Sequence, residues 1–227
     1  MKILITSGAT RESIDEIRFI TNFSTGITGC LMAETFVDLE ATVTYIHGKN
    51  SRIPDRKVDL IQFSDFYSLD EILQKTLAKQ KFDLIIHLTA VSDYSVDYLL
   101  IDNKKFSNKD IKKIDSESNI AIFLKKNFKI VSKLREYCGN LGIDTIIVPF
   151  KLTNTTNQEE RMSAVAKVFN HQGINYVVHN DFGEITDGTR NFCIYDKNLN
   201  EFKRCNSPQD LSKILYQISL KEKVGNK

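Results

Sequence analysis

Short apolar runs recur along the chain at Ile3-Leu4-Ile5, Val43 to Ile46, Leu60-Ile61, Leu84-Ile85-Ile86, Ile146-Ile147-Val148 and Tyr176-Val177-Val178, most of them separated by amphipathic segments. Strands that alternate with helices imply a parallel sheet covered by helices on both faces. The pattern therefore predicts an α/β chain with a Rossmann-like, doubly wound, mostly parallel sheet flanked by helices. Helices are expected over residues 27–39, about 67–80 and 129–141. Another is expected over 158–171, where Met162, Val165, Val168 and Phe169 form one stripe behind an acidic first turn. The last starts from Ser207 as N-cap with Pro208 behind it, and repeats Leu211, Ile214, Leu215 and Ile218 at helical spacing.

Two segments break this rhythm. Residues 95–118 are polar and charged, with Asn103-Lys104-Lys105-Phe106-Ser107-Asn108-Lys109 in the middle, and are expected to form a flap-like loop. Near the C-terminus, Asn191 to Tyr195 and Glu201 to Arg204 flank Asp196-Lys197-Asn198-Leu199-Asn200 as a β-hairpin would.

A length of 227 residues with 41% hydrophobic and 26% charged side chains suits a single domain over residues 1–227. The balance of 31 basic against 29 acidic residues leaves a formal charge of +2, which is no footprint for nucleic acid or an anionic membrane. No apolar run approaches the roughly 18 residues needed to span a bilayer, and Met1 to Ile5 reaches Thr6-Ser7-Gly8 too soon for a signal-peptide core, so a cytoplasmic protein is expected. Cys30, Cys138, Cys193 and Cys205 lie far apart, without a C-x-x-C pair, and read as reduced thiols.

The stretch from Gly8 to Gly29 carries the chemistry. A turn after the first strand of a doubly wound sheet sits at the carboxyl edge, where such folds bind ligands. Thr6-Ser7-Gly8-Ala9-Thr10 places hydroxyls and a small backbone there, and Ser24-Thr25-Gly26 leads into a helix whose first amides are free. Together they can cradle phosphate. A nicotinamide or flavin fingerprint needs G-x-G-x-x-G and an acid at the end of the second strand. Here the first turn offers only Gly8, and Val43 to His47 ends without an acid. No Walker A lysine follows Gly26 either.

Gly8 to Gly29, with the preceding Ile3 to Ser7, resembles the N-terminal signature of the phosphopantothenoylcysteine synthetase family. Further matches follow in the same order. His87-Leu88-Thr89-Ala90-Val91-Ser92-Asp93-Tyr94 is similar to the family's A-A-V-x-D-[YW] strand end. Lys113-Ile114 and then Phe128-Lys129-Ile130 resemble its K-I segment and N-P-D-I-like turn; Val148 to Leu152 and Asn180-Asp181 complete the series.

The resemblance implies a phosphopantothenate–cysteine ligase of coenzyme A synthesis, acting on 4'-phosphopantothenate, cysteine and a nucleoside triphosphate with Mg²⁺. CTP is the implied nucleotide and ATP the alternative. It implies a homodimer, and, with no decarboxylase portion before Met1, a stand-alone ligase without flavin. Asn22 matches the asparagine that contacts the activated acyl group. Ser24, Thr25 and Gly26 match the S-S-G phosphate turn, with Gly8 and Thr10 on the opposite turn. Thr89, Ala90 and Asp93 match the nucleotide-site strand end, Phe150 an aromatic near the base, and Lys113 the lysine that faces the triphosphate, with Lys109 and Lys112 as competitors. Metal ligands are not assigned. Asp15 and Arg18 read as an internal brace.

Departures accompany these matches. The family's N-x-S-S-G-K-M-G becomes Asn22-Phe23-Ser24-Thr25-Gly26-Ile27-Thr28-Gly29, which loses a basic residue beside the phosphates. The K-x-x-x-K pair of CTP-dependent members finds its nearest equivalent in Lys167 and His171, on one helix face by their i, i+4 spacing. Two other readings stay open: a nicotinamide-dependent oxidoreductase on the same sheet, and a non-catalytic nucleotide-binding relative.

Overall fold

The computed structural model describes residues 1–186 and 189–225. β1 (Lys2–Ser7) leads into a hairpin of β2 (Arg11–Ser13) and β3 (Phe19–Thr21), then α1 (Ile27–Asp38), β4 (Thr42–Gly48), β5 (Asp59–Phe63), α2 (Phe66–Lys79) and β6 (Leu84–His87). Next come β7 (Tyr94–Ile101), β8 (Lys104–Phe106), β9 (Ile120–Lys126), α3 (Leu134–Cys138), β10 (Ile146–Thr153) and α4 (Gln158–Phe169). The chain ends with β11 (Val177–Asp181), β12 (Ile185–Thr186), β13 (Thr189–Arg190), β14 (Phe192–Tyr195), β15 (Glu201–Cys205) and α5 (Pro208–Gly225).

Eight strands form one sheet in the order β15-β14-β11-β10-β6-β1-β4-β5. The strands from β11 to β5 are parallel, and the hairpin of β14 and β15 continues the sheet antiparallel. The expected doubly wound sheet and C-terminal hairpin are both present. Alternation within β1 sends Ile3 and Ile5 to one face, against α1 and α5, and Leu4 to the other, against α2, α3 and α4. After β5 the chain returns to the opposite side of β1, so the winding reverses between β1 and β6. Ligands bind outside the carboxyl ends of the strands at such a reversal. Here those ends are Ser7-Gly8 and His87-Leu88-Thr89.

Local signals set the helix ends. Asp65 and Ser68 cap α2 reciprocally, with Asp65 accepting from the Ser68 amide at 2.8 Å. Asn157 accepts from the Glu159 amide at 2.8 Å to start α4, whose acidic first turn suits the helix dipole.

Two expectations need correction. Residues 129–141 do not form one helix: α3 has five residues between two 3-10 turns. Ile130, Leu134 and Cys138 are buried at the expected spacing. Gly139, at φ 48°, ends the helix, and Arg135 turns away to donate to the carbonyls of Thr145 and Gly173, both at 2.8 Å. Residues 95–118 are a loop only in part: residues 95–106 belong to β7 and β8, which with β9 make a second, antiparallel sheet, and residues 107–118 carry one 3-10 turn. Val96 and Leu99 of this sheet cluster with Ile114, and Ile14, Ile20, Ile101 and Ile111 pack against them, outside the main core.

All four cysteines are free thiols. Among the described residues no helix is long and apolar enough to cross a membrane.

Candidate functional site

The turns after β1 and before α1 are tied together. Ser7 Oγ donates to the Gly26 carbonyl at 3.2 Å, and the Arg52 amide donates to the Thr25 carbonyl at 2.9 Å. Gly8 and Gly26 adopt φ of 86° and 75°, and a Cβ on Gly8 would overlap Ser51 Oγ. Both positions therefore require glycine. Gly26 is the N-cap of α1 and supplies no side-chain cap. The Ile27 amide makes a long bond to Thr25 Oγ1 at 3.5 Å, and the next first-turn amides of that helix, Thr28 and Gly29, are open to a ligand among the described residues.

Strand ends on the other side of the reversal are joined to the first turn by backbone. The Ala90 amide donates to the Gly8 carbonyl at 2.8 Å, and the Ser92 amide to Thr10 Oγ1 at 3.0 Å. Gly8 and Thr10 thus brace the site from behind.

Two clefts open at this edge. The first, about 700 Å³, lies between β6, β10 and α4 and is lined by Phe128, Phe150, Val168, Lys167 and His171 among others. The second, about 790 Å³, contains Asn22, Ser24, Thr25, Gly26, Ala90 and Arg190. Six residues line both: Thr89, Val91, Asp93, Lys129, Phe150 and Lys151. The clefts share this wall as a seam.

The two differ in charge. In the first, Lys129, Lys151 and Lys167 are matched by Asp93, Glu159 and Glu160. In the second, Lys129, Lys151 and Arg190 face Asp93 alone, beside the open end of α1. The second cleft favours an anion, and the first suits a flat, largely uncharged group against its phenylalanines.

The seam is built by the second sheet. The Asn127 amide donates to the Asp93 carbonyl at 2.8 Å, and Asn127 Nδ2 donates to the Ser92 carbonyl at 3.1 Å. This pairing puts the Lys129 ammonium on the Asp93 carboxylate. Burial, then the charges of Lys129 and Lys167, pull the Lys151 ammonium below the usual lysine range against the opposing pull of Asp93. Burial and Lys129 likewise lower His171, which keeps its imidazole neutral. Thr89 Oγ1 is buried without a hydrogen-bond partner among the described residues.

Of the residues expected from sequence, Asn22, Ser24, Thr25, Gly26, Thr89, Ala90, Asp93, Phe150, Lys167 and His171 line one or both clefts. Asn22 Nδ2 donates to the Val91 carbonyl at 3.2 Å, across the mouth of the second. Lys113, like Lys109 and Lys112, lines neither cleft. Asp15 is a brace: it accepts from the amides of Ile17 at 2.8 Å, Arg18 at 2.6 Å and Ile114 at 3.2 Å, and pairs with the Arg18 guanidinium at 3.0 Å. Asp181 is also structural, accepting from the amides of Thr155 at 3.1 Å and Gly183 at 2.9 Å. Sequence reasoning missed Lys129, Lys151 and Arg190 as site residues. The first two stand inside quoted motifs; Arg190 carries no local signal.

Among the described residues no three His, Cys, Asp or Glu side chains cluster as a metal site. Mg²⁺ that arrives on a triphosphate asks for only one or two protein carboxylates, and Asp93 at the seam fits that demand.

Residues 1–215 match the family described as DNA/pantothenate metabolism flavoprotein C-terminal domain. The coenzyme A biosynthesis bifunctional protein CoaBC of Thermococcus kodakarensis is 32% identical over 179 residues, which is 79% of this chain and 41% of that protein. The chain therefore spans less than half the length of this relative. A structure of the DNA/pantothenate metabolism flavoprotein from Streptococcus pneumoniae is similar at a TM-score of 0.81 and 24% identity, covering 96% of this chain and 97% of that one. A Cab2 variant in complex with phosphopantothenate-cysteine gives 0.76 at 16% identity, covering 98% of this chain and 86% of that one. At these identities the structural likeness establishes the fold.

Proposed function

The chain belongs to the DNA/pantothenate metabolism flavoprotein C-terminal domain family, and on that premise we propose that it is a phosphopantothenate–cysteine ligase of coenzyme A biosynthesis. The observation that carries this reading is the pair of clefts meeting at the sheet's winding reversal, one neutral and aromatic, the other basic beside an open helix N-terminus. A reaction that joins a nucleotide to an anionic acyl substrate needs both, side by side.

In this reading the base lies in the first cleft, near Phe150, Lys167 and His171, and the phosphates reach Ser24, Thr25, Gly26 and Arg190 in the second. CTP is the preferred nucleotide and ATP the alternative. A carboxylate oxygen of 4'-phosphopantothenate attacks the α-phosphorus; that O–P bond forms as the bond to the β-phosphate breaks, and pyrophosphate leaves. The amine of cysteine then attacks the acyl carbon. A C–N bond forms, the acyl C–O bond breaks, the nucleoside monophosphate departs and the new ammonium loses a proton to water.

The residues contribute position and electrostatics. Asn22 offers an amide N–H at the seam's mouth, suited to a carbonyl oxygen as charge develops on it. Asp93 would serve a ribose hydroxyl or hold Mg²⁺, which would draw charge from the phosphate oxygens when bound.

A homodimer fits the second sheet. β9 is an edge strand exposed along its whole length, with Ile120, Ile122, Phe123 and Leu124 each about two-fifths exposed or more. Such an edge is a ready template for pairing with another copy. Lys113, outside both clefts of its own chain, would then serve a triphosphate across the subunit boundary.

The test is to incubate the protein with phosphopantothenate, cysteine, Mg²⁺ and either CTP or ATP, and to identify the product by mass. The expected product is phosphopantothenoylcysteine. Folded protein that forms none with either nucleotide refutes the ligase, and a tight thermal shift with NAD(P) in its place points to the oxidoreductase.

A further inference from the structure

We propose that Lys129 is one of the side chains of this chain that neutralise the nucleotide's phosphates at the seam, and that Asp93 holds it there in the free protein. The inference rests on the ligase reading and adds a binding residue to the nucleotide site.

Geometry separates Lys129, with Lys151, from the lysines of the charged segment before β9. It lines both clefts, whereas Lys109, Lys112 and Lys113 line neither. Its position is fixed from two directions. The backbone bond from Asn127 to Asp93 sets the height of the turn, and the Asp93 carboxylate takes the ammonium itself. Both partners are about half exposed, so the pair is screened by water and contributes little to folding. Its use is placement: a long side chain that would otherwise sample many rotamers is held over the gap that a bound nucleotide must cross.

The charge balance at this point calls for an anion. Lys129 raises the local potential enough to be felt at Lys151 and at His171, and Lys151 is itself half-buried. Asp93 is the sole carboxylate that the second cleft offers among the described residues. If Asp93 turns to a ribose hydroxyl or to Mg²⁺, two lysines and Arg190 remain, matching a polyphosphate. Lysine delivers this charge as a point on a flexible stem, so it can follow the phosphate as the bond to pyrophosphate breaks.

The experiment compares wild type with Lys129→Met, Lys129→Arg and the control Lys133→Met, which removes a charge outside both clefts. Binding of cytidine, CMP and CTP, and of the adenine series, is measured by calorimetry at several salt concentrations, with the melting temperature of each free protein. Lys129→Met is expected to melt as wild type does, to bind nucleosides normally, and to lose about ten- to hundredfold in triphosphate affinity with a shallower salt dependence. Lys129→Arg should recover most of the loss, and Lys133→Met should show none. Equal triphosphate affinity in wild type and Lys129→Met, or an equal loss for nucleosides, overturns the inference alone. Wild type that binds no nucleotide overturns the ligase reading beneath it.

Discussion

Arg190 Nη1 donates to Thr28 Oγ1 at 2.8 Å, although 162 residues separate the two in sequence. The bond brings a guanidinium to the first turn of α1, next to the position where Ile27 stands in place of a basic residue in the pattern the loop resembles. A cation supplied from β13 can take over that role at the phosphates. Arg190→Met is expected to weaken phosphate-bearing ligands by roughly ten- to hundredfold and leave nucleoside binding intact, as judged by calorimetry. Unchanged triphosphate affinity would remove Arg190 from the site.

Thr89 supplies a test through stability. Its hydroxyl is buried and has no partner among the described residues, so Thr89→Val gives up no hydrogen bond to them. Chemical denaturation should show stability equal to wild type or higher by up to about 1 kcal/mol, because a desolvated polar group has been removed. A loss of more than about 1 kcal/mol would show that the hydroxyl has a folded-state partner.

Acid should act through His87. Its imidazole faces Thr6 Oγ1 at 2.8 Å beneath the first cleft, and burial pushes it down to about 4. The unfolded chain binds a proton here from about pH 6.5 downward and the folded chain only near pH 4, so stability falls as pH drops through that window. The full loss is about 3 kcal/mol. Asp15 and Asp181 act lower. Burial would raise both, but hydrogen bonds outweigh it, from backbone amides at Asp15 and from the Thr153 hydroxyl and then amides at Asp181, and hold them below the usual carboxylate range, so their contribution is lost only below about pH 4. Urea titrations between pH 4 and 7 should therefore show a steeper decline for wild type than for His87→Gln; parallel curves would contradict the assignment.

The exposed edge of β9 makes the dimer proposal testable. Replacing Ile122 and Leu124 with Glu puts charges into the apolar run Ile120 to Leu124 of this edge. Sedimentation should report a dimer for wild type and a monomer for the double variant, with unchanged circular dichroism. A wild-type monomer at high concentration, or a double variant that keeps the dimer mass, would argue against pairing at this edge.

Much of the main sheet was legible because parallel strands buried on both faces read as unbroken apolar runs. Ile3 to Ile5, Leu84 to Ile86 and Ile146 to Val148 are such runs, and they lie next to one another in the sheet. The second sheet was not legible, since Val96 and Leu99 pack on Ile14, Ile111 and Ile114 rather than on a helix, and no single period expresses that contact. Leu134 and Cys138 kept helical spacing while Gly139 shortened the helix. In the site, Asn22, Ser24 to Gly26, Thr89, Asp93 and Phe150 line the clefts, whereas Gly8, Thr10 and Lys113 do not. Lys129 was hidden because it stands in a turn resembling one with an acid there, and Arg190 because only folding brings it to Thr28.

The two-step reaction can be tested directly by withholding cysteine. Wild type mixed with phosphopantothenate, Mg²⁺ and CTP should release close to one equivalent of pyrophosphate per site and retain an acyl-nucleotide. Asn22→Asp should keep its fold and release far less, because a carboxylate cannot donate to the acyl oxygen and repels the anionic intermediate. Pyrophosphate release in wild type that does not depend on phosphopantothenate, or an undiminished burst in Asn22→Asp, would contradict acyl activation at the seam of the two clefts.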